Sequence, residues 1–243
     1  GERNITKERL RDYTETLKKW LTRQTGMSKV VFVENSGYPL DELKKIVAEC
    51  NPHKKEVEFL QYRASGKDLT DKSHAEITQV MYALTHSKLM RETTHFAQVS
   101  GRAYMPNIDR LIAGLPDEFD VVGRFENNLA YFATNLVFFR NDFFRDLVGP
   151  YSLAHVTPVN NYYEERVYAG AIHLAIEQDY RWFPFCEEPI VEGIGGTKNR
   201  DYGRGRWFWL KNTWIAKMYY NLHATSYGKN RKHLLEIWNI KKS

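Results

Sequence analysis

The sequence predicts an α/β fold: a mixed, mainly parallel sheet flanked by helices, with a helical appendage at its C-terminal end. Three observations predict it. Residues 30–33 form a short apolar run and residues 56–62 alternate apolar with polar, and a helical stretch separates these two strand signatures. Strand and helix go on alternating through the first half of the chain, which requires right-handed crossovers and parallel pairing. Later the strand-like segments come closer together, so the sheet becomes mixed.

Residues 6–24 read as an amphipathic helix, because Leu10, Tyr13, Leu17, Trp20 and Leu21 recur at three- and four-residue steps. Thr6 suits its N-cap, Glu8 its first turn, and Gly26 ends it. A strand at 29–33 follows, then a helix at 39–50 that opens on Pro39 and stops before Asn51-Pro52. The strand at 56–62 leads into a polar loop, "ASGKDLTD" (64–71), and a long helix at 72–91 with Ile77, Val80, Met81, Leu84 and Leu89 on its apolar side. Further strands are expected at 95–105, 119–125, 133–140 and 180–185, with a helix at 160–176 that is buried after Val167. In such a fold the opening helix should follow a strand, so a first strand upstream of Gly1 is expected.

A chain of 243 residues suits one large domain with an appendage, divided here at 1–190 and 191–243. Its 13 Phe, 15 Tyr and 6 Trp argue against disorder. Cys50 and Cys186 give neither a disulfide framework nor a zinc pattern, as expected of reduced thiols in a cytoplasmic protein. No run of eighteen apolar residues occurs, and no signal-peptide pattern is read at the start. Between Lys198 and Ser243, eleven Lys and Arg face two acids, a local charge of +9; the whole chain carries +5, so the remainder carries −4. The basicity therefore belongs to the tail, which disfavours a nucleic-acid-binding domain and favours a local contact with an anion or a membrane.

Directly after Val30–Val33 stand Glu34, Asn35, Ser36 and Gly37. Ligands in open α/β sheets bind beyond the carboxyl ends of strands, and a carboxylate there accepts hydrogen bonds from a ribose or a base. Asn and Ser also cap helices, so a capping loop is the plainer reading. An acid-Asn-Ser-Gly stretch between strand and helix resembles the second strand of nucleotide-sugar-dependent glycosyltransferases of the GT-A fold. "SGKDLTDKSHAEITQVMYALTHSK" (65–88) resembles that family's glycine-containing loop and following helix. "HFAQVSGRAYMPNI" (95–108) resembles the K-x-T-G-R-Y-Y-x-x-N segment of a bacterial and viral polysaccharide subset, and "YYEERVYA" (162–169) resembles its late acidic helix. The resemblance covers most of residues 5–185. It implies a Rossmann-like sheet with Glu34, Asn35 and Ser36 on the nucleotide sugar and Gly66 and Lys67 beside the diphosphate.

The family's metal-binding Asp-x-Asp motif is absent from this chain, and the matching position reads Ser100-Gly101-Arg102. No metal site is assigned, and a divalent ion is not expected; Asp109, Asp117 and Asp120 are the carboxylates left if one binds. Without a metal, cations must face the leaving diphosphate, and Arg102 binds phosphate in a bidentate manner. An ion pair with a nearby carboxylate is its competing role.

An inverting transferase needs one carboxylate to take the acceptor's proton. The resemblance aligns Glu165 with that base, with Glu164 as the alternative, although first-turn acids also complement a helix dipole. His155, shortly before this helix, could approach the acceptor. His74, His86, His95 and His173 form no His-x-x-x-His or His-Glu-x-x-His pair, which excludes a zinc hydrolase of that type. His173 is expected to be a satisfied core residue.

The stretch "EGIGGTKNRDYGRGRW" (192–207) mixes glycines with Lys198, Arg200, Arg204 and Arg206, the composition of a lid or of a mobile connector. Lys198 and Arg204 are its candidate diphosphate contacts. Trp207–Leu222 is expected to pack on the domain, with a membrane interface as the alternative. The sequence thus points to an inverting glycosyltransferase using a nucleotide-sugar donor and a glycan or glycolipid hydroxyl acceptor, in polysaccharide or surface-glycan synthesis. The alternative is a transferase-like module that has lost its chemistry and only binds nucleotide or glycan.

Overall fold

The computed structural model describes residues 7–159, 162–193 and 206–226. Helix α1 (Lys7–Thr22) leads into β1 (Lys29–Glu34), α2 (Asp41–Glu49) and β2 (Glu56–Gln61). β1 and β2 pair in parallel, from Lys29 opposite Glu56 to Glu34 opposite Gln61, so both strands end on the same side. Leu17 and Leu21 of α1 meet Leu40 and Leu43, with Phe32, Val57 and Phe59 of the strands packed against them.

A 3-10 turn (Gly66–Leu69) precedes α3 (Lys72–His86) and α4 (Lys88–Arg91). The single helix expected over 72–91 breaks at Ser87, whose backbone is extended and whose hydroxyl caps α4. Glu58 on β2 fixes the break by accepting from Ser87 Oγ at 2.6 Å and from the N–H groups of Lys88 and Leu89 at 3.0 Å.

The strand expected over 95–105 is split into β3 (His95–Val99) and β4 (Ala103–Tyr104), followed by α5 (Ile108–Ala113). Then come β5 (Val121–Val122), β6 (Phe125–Glu126), β7 (Tyr131–Phe132) and β8 (Leu136–Arg140). Later elements are α6 (Asn141–Phe143), a π-helical turn (Phe144–Val148), α7 (Gly149–His155), α8 (Glu164–Glu177), β9 (Trp182–Phe183), β10 (Glu192–Gly193) and α9 (Arg206–Ser226). The fold is mixed α/β, with its described strands divided among small sheets. The largest runs β3-β8-β5-β9; β8 is antiparallel to both neighbours, and β9 is parallel to β5. β6–β7 and β4–β10 are antiparallel as well. Antiparallel pairing is what short connections permit, and Asn127, Asn128 and Leu129 turn β6 into β7 at positive φ.

The main core joins Ile77 of α3, Phe139 of β8, Phe143 and Phe144 beyond it, and Tyr168 and Ile172 of α8. α8 buries one face only: Leu174 and Ile176 stay exposed. His173 is not a core residue; it lies at the surface, its Nε2 2.9 Å from Leu129 O and its ring stacked on Phe125. The packing expected of Trp207–Leu222 holds for one face of α9. Trp209 Nε1 donates to Glu188 O at 3.0 Å, and Tyr220 and His223 meet Phe183 and Trp182. Leu210, Trp214, Ile215 and Met218 are exposed, Trp214 by 68%. The stripe is too wide for a helix lying on a domain to bury whole. No described helix is long and apolar enough to cross a membrane.

Candidate functional site

The carboxyl ends of three strands gather most of the residues singled out in the sequence. Parallel pairing sets the end of β1 beside that of β2, and Tyr62 N donates to Glu34 O at 2.9 Å just past both. α1 brings in β3: the Tyr13 ring stands edge-on to Phe32, centroids 6.1 Å apart, and lies against Gly101, where an added Cβ would come within 2.8 Å of Tyr13 Cε1.

At the end of β1, Glu34 closes its own turn. Its Oε1 accepts from Ser36 N at 2.6 Å and from Ser36 Oγ, and its Oε2 accepts from Gly37 N at 2.9 Å. Gly37 takes φ +76, which favours glycine. α2 starts only at Asp41 with Leu40 as N-cap, so Asn35 and Ser36 do not cap it. A carboxylate offers about four lone-pair positions, so Glu34 keeps capacity for a further donor. Asn35 is half-buried and Ser36 exposed.

Beyond β2, Gly66 takes φ +57 and Lys67 is exposed. Asp68 turns inward and accepts from His74 Nδ1 at 2.5 Å and Thr78 Oγ1 at 3.1 Å, while Asp71 caps α3 through Ser73 N and His74 N. The glycine loop is thereby fastened to the start of α3. Sequence reasoning passed over Asp68 and Thr78; His74 and Thr78, four apart on one helix face, were the available signal.

Beyond β3, Ser100 is half-buried and Arg102 is 8% exposed. Arg102 Nη1 lies 3.9 Å from Asp12 Oδ2, so the competing ion pair is present. That distance is too long for a hydrogen bond. Among the described residues the Arg102 guanidinium donates none.

Helices α3 and α8 both begin at this end of the fold. Glu164, in the first turn of α8 and 3% exposed, accepts from Gln98 Nε2 at 2.8 Å and neighbours Glu76 of α3. Tyr168 OH donates to Gln98 Oε1 at 3.2 Å. Burial pushes the Glu164 carboxyl well above the usual range, and the charges of Glu76 and Glu165 add to the shift. Both effects favour the neutral, protonated form of this carboxyl group, which is shut away from solvent. Burial and the neighbouring Glu164 likewise raise the Tyr168 phenol. Glu165, half-buried, is the more open of the two first-turn acids. His155 is held to its own helix, with Nδ1 donating to Tyr151 O at 2.7 Å and the ring stacked on Tyr151. The sequence did not foretell this cluster; Gln98, the polar member of an otherwise apolar strand end, was the signal.

Lys198 and Arg204 lie outside the described residues. The reserve metal ligands are placed elsewhere. Asp109 accepts from Gly26 N at 2.5 Å, and Asp120 pairs with Arg140 at 2.9 Å and accepts from Arg181 N. Asp117 and Asp120, with His95 and Arg181, line a cleft of about 490 Å³ at the amino ends of β3, β5 and β9, opposite the strand ends described above. Among the described residues no group of three or more His, Cys, Asp or Glu could hold a metal ion. No protein-family model, curated protein or solved structure matches this chain.

Proposed function

We propose that the protein is an inverting glycosyltransferase of the GT-A-like type that uses a nucleotide-sugar donor and a glycan or glycolipid hydroxyl as acceptor. The observation that carries this reading is Arg102: a guanidinium only 8% exposed at a strand carboxyl end, 3.9 Å from Asp12. A phosphate would bind such a guanidinium in a bidentate manner. The beginnings of α3 and α8 favour negative charge at the same end. Lys67 stands on the adjoining loop, and Glu34 can accept from a ribose hydroxyl. The parallel β1–α2–β2 unit supports the GT-A-like part of the reading.

In the reaction, the acceptor oxygen attacks the anomeric carbon as the bond from that carbon to the diphosphate breaks. The electron pair leaves with the diphosphate, and Glu165 takes the acceptor's proton. Burial favours the protonated form of Glu164, so it serves this step poorly. The test is a thermal-shift screen with UDP-, GDP-, CMP- and dTDP-sugars, with and without Mn²⁺. A donor at a hundred times its Kd stabilises by roughly 2.7 kcal/mol; no shift with any donor would refute the reading.

A binding module without chemistry is the second reading, favoured by Asp12 beside Arg102 and by the use of Glu34 in its own turn. Donor hydrolysis in the absence of acceptor separates the two. The exposed apolar side of α9, which carries Lys211 and Lys217, suits a peripheral contact with an anionic membrane.

A further inference from the structure

The short loop that carries Arg102 is gripped from two sides. Helix α1 holds the first. Its Tyr13 ring lies against Gly101, and Trp20 Nε1 donates to Ala103 O at 3.1 Å. Trp20 also stands edge-on to Tyr104, centroids 4.8 Å apart, and Lys19 and Arg23 lie over the Tyr104 ring. The loop closes on itself where Ala103 N donates to Ser100 O at 2.8 Å. Ala103 and Tyr104 are fully buried between these contacts.

Strand β10 holds the second side. Glu192 stands opposite Tyr104, and Gly193 opposite Ala103. Lys19 Nζ pairs with Glu192 Oε2 at 2.9 Å, so α1 and β10 are tied to each other as well. At Gly193 the contact is backbone on backbone. A Cβ added there would lie 2.0 Å from Arg102 O, 3.1 Å from Arg102 C and 3.4 Å from Ala103 Cα. Gly193 takes φ +123, a conformation open to glycine and rarely to other residues.

The two glycines near Arg102 differ in what would have to yield. A Cβ at Gly101 would meet Tyr13 Cε1 at 2.8 Å, the outer part of a ring that can shift. A Cβ at Gly193 would meet the Arg102 carbonyl itself. Restoring van der Waals separation then means moving β10 or the Arg102 backbone by about 1 Å or more.

We propose that Gly193 is a positioning residue for Arg102: it lets β10 lie directly on the Arg102 carbonyl, and this contact, with α1 opposite, aims the guanidinium at a ligand's diphosphate. A guanidinium held in place beforehand loses less freedom when it binds. A misplacement of about 1 Å can cost roughly a hundredfold where geometry is exacting. That Arg102 meets a diphosphate rests on the function proposed above; that Gly193 aims its side chain does not.

Inorganic pyrophosphate is the probe, with calorimetry for its affinity and ¹⁵N relaxation of the Arg102 Nε–H group for side-chain order. Gly193 belongs to none of the three hydrophobic cores, so Gly193→Ala should fold. It should weaken pyrophosphate at least about tenfold and lower the order of Arg102 Nε–H. In an Arg102→Ala background the same change should cost no further affinity, because no guanidinium is left to aim. A lower Tm with unchanged pyrophosphate affinity and unchanged Arg102 order would make Gly193 merely structural and overturn the proposal. Equal losses of affinity with and without Arg102 would overturn it too. A parent protein that binds no pyrophosphate, but whose Arg102 loses order on Gly193→Ala, would refute the phosphate reading and uphold the positioning.

Discussion

Gln98 Nε2 donates to Glu164 Oε1 across 2.8 Å, which ties the last residues of β3 to the first turn of α8. The bond holds one Glu164 oxygen as an acceptor, beside the Glu76 carboxyl group that helps to raise the Glu164 carboxyl. A carboxyl raised in the folded state adds stability that is fully present below its unfolded value, about 4.3. That stability is lost as pH rises toward the folded value. Glu164→Gln copies the neutral acid. At pH 7–8 it should melt at or above the parent's temperature, and its advantage should grow from pH 5 to pH 8. A variant that melts several degrees lower at every pH would refute the protonated assignment.

Glu165→Gln should keep the donor-induced thermal shift and lose turnover by at least about a hundredfold, the effect of removing a general base. Undiminished turnover would remove Glu165 from the reaction and direct attention to His155.

Arg102→Ala should abolish both the donor-induced shift and turnover. Arg102→Lys should recover little, because an ammonium cannot make the paired hydrogen bonds of a guanidinium. Activity should survive EDTA. Loss on chelation, restored by Mn²⁺ or Mg²⁺, would instead assign the diphosphate to a metal.

Glu34→Ala removes three hydrogen bonds from a partly exposed turn and should cost roughly 1–3 kcal/mol in denaturant titration. It should also weaken nucleotide-sugar binding. Normal affinity in a variant that melts early would leave Glu34 as a loop-shaping residue alone.

On α9, Trp214→Glu and Met218→Glu should leave Tm nearly unchanged, since both side chains are exposed. They should reduce co-sedimentation with vesicles containing phosphatidylserine. Equal recovery of parent and variants would show that this face does not meet membranes.

Much of the fold was legible where burial follows a local period. The 3.6-residue spacing of α1 and the apolar run of β1 are contained in their own residues, and the observed bounds agree within a few positions. The break at Ser87 was not legible, because the carboxylate that holds it, Glu58, lies on β2. Nor was the place of β8 between β3 and β5, since hydrophobic pattern does not choose a strand's neighbour.

The candidate site divides in the same way. Glu34, Lys67 and Arg102 could be read as strand-end residues because strand, turn and helix follow one another in the chain. Adjacent Glu164 and Glu165 look alike in sequence. Only the packing of α8 on β3 and α3 buries the first beside Glu76 and Gln98 and leaves the second more open. Protonation depends on what surrounds a carboxyl group in space, and residues 76, 98 and 164 meet only when the chain has folded.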